Sequence, residues 1–414
     1  IYAELGAMIP ETGGLYVYFK KMFGDFVGYL YGWAAFSAIN TTGIAAISFV
    51  CAQYADYFLH LPRLDTITEH SVIWHIPFIG DLFPLENIGV KSLAILLVIL
   101  FTAINYLSTK AGSVFQVVST FIKVAALVLL VFGIFFSGAG DFQHFISAEN
   151  PKQNGALLAG IMAALSGAFF AYDGWINITF IAGEIKNPQK NIPKSLFTGV
   201  LTCIVIYVLV NQAYLYVMPV ESIATSSLVA ADAMTIAMGG MAGAVIAALI
   251  VICTLGAING NALATARVTY AMGKDRVFLP WTGKTHPKFQ TPGNALVLHC
   301  VWICMFIITG SFDMLADIMV FMTWIFYGLG AVGVFILRKK MATTERPYKI
   351  WKHPFVTLLY IAFTTFFLVA TIYNDVSNYL AGTQPVINSL LGLLIAALGI
   401  PLYFYYKRKK KNTD

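Results

Sequence analysis

Long apolar runs constrain this chain more than any other feature of its sequence. Runs of 18 or more mostly apolar residues recur along its 414 positions, and each is long enough to cross a bilayer core of about 30 Å. Only 11% of the residues are charged, whereas a soluble domain carries roughly 25%. A soluble fold could not bury most of these runs, so the sequence predicts an all-α integral membrane protein.

Hydropathy divides the chain into ten predicted membrane spans. They cover residues 24–58, 91–108, 112–137, 155–183, 195–217, 239–272, 293–310, 315–338, 353–373 and 383–406. The first is too long for one straight crossing, so we expect it to be strongly tilted or to project beyond the bilayer. The opening IYAELGAMIPETGG passes from apolar to polar, which predicts the end of an earlier span and an N-terminally incomplete sequence.

The loops between these spans carry most of their positive charge on one side. When alternate loops are assigned to opposite sides, one side collects 22 of the 26 Lys and Arg residues, including those of the tail 407–414. The other side holds Arg63, Lys91 and Lys152, and Lys123 lies inside a span. The positive-inside rule assigns the basic side, and with it the C-terminus, to the cytoplasm.

Several classes of function find no support in the sequence. It contains no Walker motif for ATP and no basic, aromatic-interleaved surface for nucleic acid. The five cysteines lie in or beside apolar segments without a CxxC spacing, which favours structural thiols over a disulfide or zinc site. Only His299 among the histidines falls in the interior of a span, and no acidic residue or second histidine shares that span. We therefore expect no enzyme, no catalytic residue, no cofactor and no metal.

The segment FFAYDGWINITF, Phe169–Phe180, places an Asp-Gly pair inside the predicted span 155–183. Glycine costs about 1 kcal/mol relative to alanine in a helix interior, and a carboxylate at mid-membrane costs about 2.5–3.5 kcal/mol on insertion scales. Two such costs side by side predict a helix broken at 171–175, whose freed backbone groups hold a substrate. The alternative is a kinked structural helix in which Asp173 caps the second half.

Two further polar sites lie inside predicted spans. Lys123, in VSTFIKVAALVLLVF, is far from both ends of its span, so we expect its ammonium group to face the interior of the helix bundle and to bind carbonyls or a carboxylate. Asn259, Gly260 and Asn261 lie in the middle of a later span. These residues either pack helices together or line a cavity.

Four segments together resemble the amino acid–polyamine–organocation superfamily, and most closely its L-amino-acid transporters and bacterial serine/threonine exchangers. They are AELGAMIPETGGLYVYF, FAYDGWINITFIAGEIKNPQKNIPKSL, NGNALATARVTYAMGKDRVFLP and FYGLGAVGVFILRKK. The resemblance implies the leucine-transporter fold, which has twelve spans and two inverted five-helix repeats.

Under this resemblance the whole chain, 1–414, is a single transporter domain. Its parts are the end of span two (1–10), spans three to five (24–137), spans six to ten (155–338), spans eleven and twelve (353–406) and a basic cytoplasmic tail (407–414). Span one, whose glycine-rich segment receives the substrate carboxylate in this family, is expected to be absent from the sequence.

The resemblance also implies roles for particular residues. The candidate substrate-binding residues are Phe170, Ala171, Tyr172, Asp173, Gly174, Trp175, Ile176, Ile39 and Asn259. Phe170 would gate the site, and the backbone of 171–174 would bind the substrate ammonium. Trp175, Ile176 and Ile39 would shape the side-chain pocket. Lys123 matches a family lysine that takes the place of a sodium ion, which implies sodium independence.

The implied function is a permease or exchanger that moves neutral L-amino acids across a bacterial plasma membrane by alternating access. Asp173 is the only acidic side chain deep in the candidate pocket, which favours neutral substrates. Proton-coupled or cationic amino-acid symport is the alternative, followed by a channel or sensor on the same fold. The expected partners are the amino acid and the lipid bilayer, and the short external loops indicate no accessory subunit.

The charge distribution generates a topology test. Alkaline phosphatase fused after residue 411 should be inactive, and green fluorescent protein fused there should fluoresce, because the basic side faces the cytoplasm. The two reporters should give the opposite result when they are fused within the loop 218–238. Active phosphatase at the C-terminus would contradict the orientation.

Overall fold

The computed structural model describes residues 1–145 and 154–411, and these residues are mostly helical. The helices are α1 (Tyr2–Met8), α2 (Leu15–Phe23), α3 (Asp25–Ala34), α4 (Thr41–Leu59), α5 (Thr66–Glu69), α6 (Ile88–Leu107), α7 (Thr109–Phe136), α8 (Asn154–Ala171), α9 (Pro188–Val217), α10 (Val220–Thr225), α11 (Val229–Met238), α12 (Gly240–Lys274), α13 (Gly293–Thr309), α14 (Phe312–Lys340), α15 (Phe355–Leu380), α16 (Asn388–Ala397) and α17 (Gly399–Lys411). Short 3₁₀ segments lie at Phe142–Phe145, Trp175–Glu184 and Pro280–Gly283. The all-α prediction is confirmed. Lys152 and the last three residues of the predicted tail lie outside the described residues.

Each of the ten predicted spans coincides with one helix or with two or three consecutive helical segments. Within the described residues, eight helical segments are long and apolar enough to cross a membrane. The other two predicted spans correspond to α8, which stops at Ala171, and to α13, which has 17 residues. The last predicted span consists of α16 and α17, which meet at Leu398.

The predicted loop 59–90 contains structure that the hydropathy pattern did not indicate. It holds the short helix α5 and the antiparallel strands β1 (Trp74–Ile76) and β2 (Gly80–Leu82). Gly80 also forms a β-bridge with Val386. The loop before α6 is thereby tied to the segment that leads into α16.

The first predicted span forms the most buried part of the bundle. Helices α3 and α4 are joined through a π-helical turn at Ala35–Asn40, so the helix continues from Asp25 to Leu59. A Cβ on Gly43 would lie only 2.7 Å from the Sδ of Met319 in α14. Small residues allow membrane helices to approach each other closely, and this helix packs on α6, α12, α13 and α14.

Helices α7 and α12 meet along a seam of glycines and polar side chains. A Cβ on Gly256 would overlap the hydroxyl of Ser119, and one on Gly260 would lie 2.6 Å from the Oε1 of Gln116. The outer face of α7 is apolar, and Phe121 is 75% exposed. The seam therefore joins two long helices whose remaining faces suit lipid.

Gly256→Ala should lower the melting temperature of the detergent-solubilised protein, because the added methyl group must displace Ser119 or separate the two helices. Overpacking of this kind costs typically about 1–3 kcal/mol. Gly199→Ala is the matched control, since no atom lies within 4 Å of its added Cβ and alanine favours a helix. Equal melting temperatures for the two variants, measured by tryptophan fluorescence, would contradict the close packing of the seam.

Candidate functional site

The helix that contains the Asp-Gly pair is broken where the sequence predicts. Helix α8 ends at Ala171, residues 172–174 form a turn, and the chain continues as the 3₁₀ segment Trp175–Glu184. Gly174 has φ 95° and ψ −12°, a left-handed conformation that disfavours a side chain. Glycine at this position therefore allows the sharp turn that ends α8.

The turn leaves main-chain groups available for other partners. The Ala171 carbonyl accepts a hydrogen bond from the hydroxyl of Tyr207 at 3.1 Å. Within the described residues, no hydrogen bond to the carbonyls of Tyr172 and Asp173 is found, and the Trp175 amide donates none. Free carbonyls suit an ammonium group, and free amides at the start of a helical segment suit an anion.

The turn borders a small, partly open cavity of about 50 Å³. Its lining residues are Phe169, Tyr172, Asp173, Trp175, Met319, Val320, Thr323, Trp324 and Tyr327. The Thr323 hydroxyl is buried without a hydrogen-bond partner among the described residues, so the cavity carries an unused polar group beside the Asp173 carboxylate. A volume of this size holds about one or two water molecules, whereas small-molecule pockets measure about 300–1,000 Å³.

Three aromatic rings pack together on the side of this region that faces α1. Trp175 lies 5.4 Å from Tyr2 and 5.4 Å from Tyr327, measured between ring centroids, and Tyr2 lies 5.4 Å from Tyr327. The Tyr2 hydroxyl also donates to the Tyr327 carbonyl at 2.7 Å. Edge-to-face and tilted ring pairs are favourable contacts, so α1, α14 and the 3₁₀ segment are packed together here. We call these three residues the aromatic floor.

On the other side of the turn, Phe170 contacts Phe312 with 5.6 Å between ring centroids. Both rings line a second cavity of about 360 Å³ between α8, α14 and α15. Asp313, Asp317 and Asp375 also line it. The Asp317 carboxylate accepts hydrogen bonds from Ser166 at 2.7 Å and from Asn388 at 3.1 Å, so this larger cavity is polar and acidic.

The remaining candidate residues lie in different surroundings. Ile176 is 4% exposed and directly follows Trp175. Ile39 belongs to the π-helical turn of the first span and is not among the residues that line the small cavity. Asn259 is fully buried, and its amide donates to the Gly112 carbonyl at 2.8 Å, which favours the helix-packing alternative for this residue.

Lys123 lies on α7 at the seam with α12. A Cβ on Gly256 would lie 3.7 Å from the Lys123 Cε. Within the described residues the ammonium group has no hydrogen bond or ion pair. The side chain therefore points toward α12 and is half-buried, but the expected carbonyl or carboxylate partner is not found among the described residues.

Several residues around the turn were not identified from the sequence. Tyr2, Phe312, Trp324 and Tyr327 all contribute rings to its surroundings. Tyr327 belongs to the segment FYGLGAVGVFILRKK, so the resemblance could have drawn attention to it. The others carry no local signal, because aromatic residues are common in apolar helices.

Comparison with known proteins gives a family match and a set of similar transporters. The amino acid permease model matches residues 1–398. The chain is similar to the serine/threonine exchanger SteT of Bacillus subtilis (strain 168), with 30% identity over 99% of this chain and 85% of that protein. It is also similar to the human b(0,+)-type amino acid transporter 1, with 26% identity over 99% of this chain and 77% of that protein. The human large neutral amino acids transporter small subunit 2 is 28% identical over 99% of this chain and 71% of its own length.

Gly174→Ala should abolish ligand-induced stabilisation, because the added Cβ is strained at positive φ by about 1–2 kcal/mol and the turn must reorganise. The measurement is the shift in melting temperature on addition of each member of an amino-acid panel. Gly160→Ala is the control within α8, since no atom lies within 4 Å of its added Cβ. A shift in Gly174→Ala equal to that of the unmodified protein would show that the turn geometry is not needed for binding.

Proposed function

The chain belongs to the amino acid permease family, within the amino acid–polyamine–organocation superfamily, and we propose that it is a sodium-independent permease or exchanger for neutral L-amino acids. It is an amino-acid transporter and not an enzyme. In our proposal it works by alternating access, and the substrate binds at the interruption between α8 and the 3₁₀ segment.

The broken helix is the observation that carries this proposal. The carbonyls of Tyr172 and Asp173 and the amide of Trp175 have no partner among the described residues, which is costly in a bilayer unless another polar group binds there. A zwitterionic amino acid supplies both an ammonium group and a carboxylate. In this proposal Phe170 gates the site from outside and the aromatic floor closes it from inside.

We propose the leucine-transporter fold for the arrangement of the helices. In this assignment α1 ends span two, α3 with α4 is span three, α7 is span five, the broken helix is span six, and α12 is span eight. The break in α8 and the contact of α7 with α12 support the assignment, because this fold uses discontinuous helices at its substrate site.

Sodium independence rests on Lys123 in this proposal. Its ammonium group lies between α7 and α12 and has no anionic partner among the described residues. A fixed positive charge at this place would do the work of a bound cation and would repel sodium. The contact of Lys123 with Gly256 supports the proposal, because it places the charge at the seam between these two helices.

A second candidate function is transport of cationic amino acids or proton-coupled transport. Asp313, Asp317 and Asp375 line the larger cavity, which continues to Phe170. Carboxylates along an entry route attract cations and raise their local concentration. This charge favours substrates with an additional ammonium or guanidinium group.

We further propose a bacterial plasma membrane location, a cytoplasmic C-terminus and function without an accessory subunit. The basic side of the predicted topology and the bacterial relative support the first two points. One human relative is named a small subunit, so function without an accessory subunit is not indicated by the names of all relatives. Transport by the purified chain alone would test this third point.

Counterflow in proteoliposomes tests the proposed function. Vesicles loaded with one unlabelled neutral amino acid should accumulate the same labelled amino acid, with equal rates in sodium and in choline buffer. Competition by neutral amino acids of one size class is expected, whereas stronger competition by lysine and arginine would favour the second candidate. A strict sodium requirement would contradict the role proposed for Lys123, and current that does not saturate would indicate a channel.

Lys123→Ala should reduce exchange by about tenfold or more, which corresponds to about 1.4 kcal/mol, because it removes the fixed positive charge that takes the place of a bound cation in this proposal. Membrane insertion and expression should remain normal, because alanine favours a helix. Lys194→Ala, at an exposed position of α9, is the control and should exchange normally. Normal exchange by Lys123→Ala would remove this residue from the coupling mechanism.

A further inference from the structure

A buried carboxylate joins three separate segments at the cytoplasmic ends of the helices. Glu4 of α1 is 1% exposed. Its Oε2 accepts hydrogen bonds from the Nη2 of Arg338 at 2.7 Å and from the backbone amide of Ile350 at 2.7 Å. Its Oε1 accepts from the Nε of Arg338 at 3.1 Å, and the Nε of Arg346 lies 3.6 Å away. We call these four residues the clasp.

The clasp also fixes the conformation of the loop that follows α14. The guanidinium of Arg346 donates to the carbonyls of Met341 at 2.9 Å and Thr344 at 3.2 Å, so it stabilises the chain as it leaves the helix. Ile350 is buried, whereas its neighbours Lys349 and Trp351 are exposed. The loop 341–350 is therefore held against the bundle by two arginines and one main-chain hydrogen bond.

The clasp and the aromatic floor both connect α1 to α14. Tyr2, two residues before Glu4, donates to the carbonyl of Tyr327 in α14, and Arg338 is in the last turn of α14. Helix α1 also makes apolar contacts, and a Cβ on Gly6 would lie 2.8 Å from a methyl group of Ile192 in α9. The described polar contacts that join α1 to its neighbours are therefore concentrated on α14 and the loop that follows it.

Buried ion pairs differ from apolar contacts in how they respond to separation. Removing charges from water costs several kcal/mol for each ion, so such a pair contributes little net stability when it is formed. A carboxylate left buried without its partners is strongly unfavourable. The clasp is thus stable when it is complete or when water reaches it, and intermediate separations of α1 and α14 are disfavoured.

We propose that Glu4 is a gating residue for the cytoplasmic exit of the transport site. The complete clasp holds α1 on α14 and keeps the aromatic floor closed. Release of substrate to the cytoplasm requires Glu4 to separate from Arg338 and the amide of Ile350, after which α1 moves with α9 and the 3₁₀ segment. This inference rests on the proposed transport function, but its structural consequence can be measured without any substrate.

Hydrogen–deuterium exchange of the substrate-free protein in lipid nanodiscs tests the proposal. Glu4→Gln should increase the exchange rate of peptides covering 341–354 by about tenfold or more, because the neutral amide holds neither arginine as an ion pair. Glu184→Gln is the matched control. It removes a carboxylate from a cytoplasmic ion pair with Arg267 at 3.1 Å, but that pair is exposed and contributes little, so exchange in 341–354 should not change.

A second measurement keeps the test independent of folding defects in one variant. Leu5 follows Glu4 and is 1% exposed, so a thiol at this position reacts only when α1 leaves α14. The variant is Leu5→Cys in a protein from which the five native cysteines have been removed. Labelling of this thiol by a membrane-impermeant maleimide from the cytoplasmic side should accelerate at least about fivefold with Arg338→Gln and less with Arg338→Lys, which keeps the charge but loses the bidentate geometry.

These two measurements test the gate independently of the proposed transport function. Faster exchange and faster labelling support the gate, including in a protein that fails the counterflow assay. Exchange and labelling rates equal to those of Glu184→Gln would overturn it, even if counterflow of neutral amino acids is observed. Loss of protection throughout the chain in Glu4→Gln, together with unchanged Leu5→Cys labelling in Arg338→Gln, would also overturn it, because Glu4 would then maintain only the fold.

Discussion

The structure depends on the requirement that backbone polar groups in a bilayer find partners within the protein or in a water-filled cavity. Continuous helices meet this requirement by themselves, and most of the described segments are of this kind. The turn at 172–174 does not. Of its freed groups, the Ala171 carbonyl binds the Tyr207 hydroxyl, and Tyr172 and the exposed Asp173 border a small, partly open cavity. The same groups that make the turn costly make it suitable for a zwitterionic ligand.

The surroundings of the turn differ on its two sides. On one side, the aromatic floor and the clasp connect α1 to α14 by ring contacts and charged hydrogen bonds. On the other side, Phe170 and Phe312 stand beside a larger acidic cavity. The cavity at the turn is too small for most ligands, so binding requires the rings around it to move. In the orientation that we propose, a conformation closed toward the cytoplasm accounts for all three observations.

The sequence was informative wherever the bilayer imposes a simple rule. Long apolar runs predicted the helices, and the Asp-Gly pair predicted the break near Ala171, because both follow from the cost of polar groups in lipid. Residues brought together over long distances were not predicted: Glu4 meets Arg338 and Ile350 only after the bundle forms, and Tyr2 meets Trp175 in the same way. The sequence alone did not distinguish two roles for Asn259. An amide in a span can bind either a ligand or another helix, and here it donates to the Gly112 carbonyl.

The central claim is that the unwound segment binds the amino acid through its main chain. A cryo-electron microscopy structure in nanodiscs with a saturating neutral amino acid tests it most directly. The account predicts ligand density whose ammonium group lies within about 3 Å of the carbonyls of Tyr172 or Asp173, with the turn at Gly174 preserved. A continuous helix through 171–175, or ligand density confined to the larger acidic cavity, would contradict it.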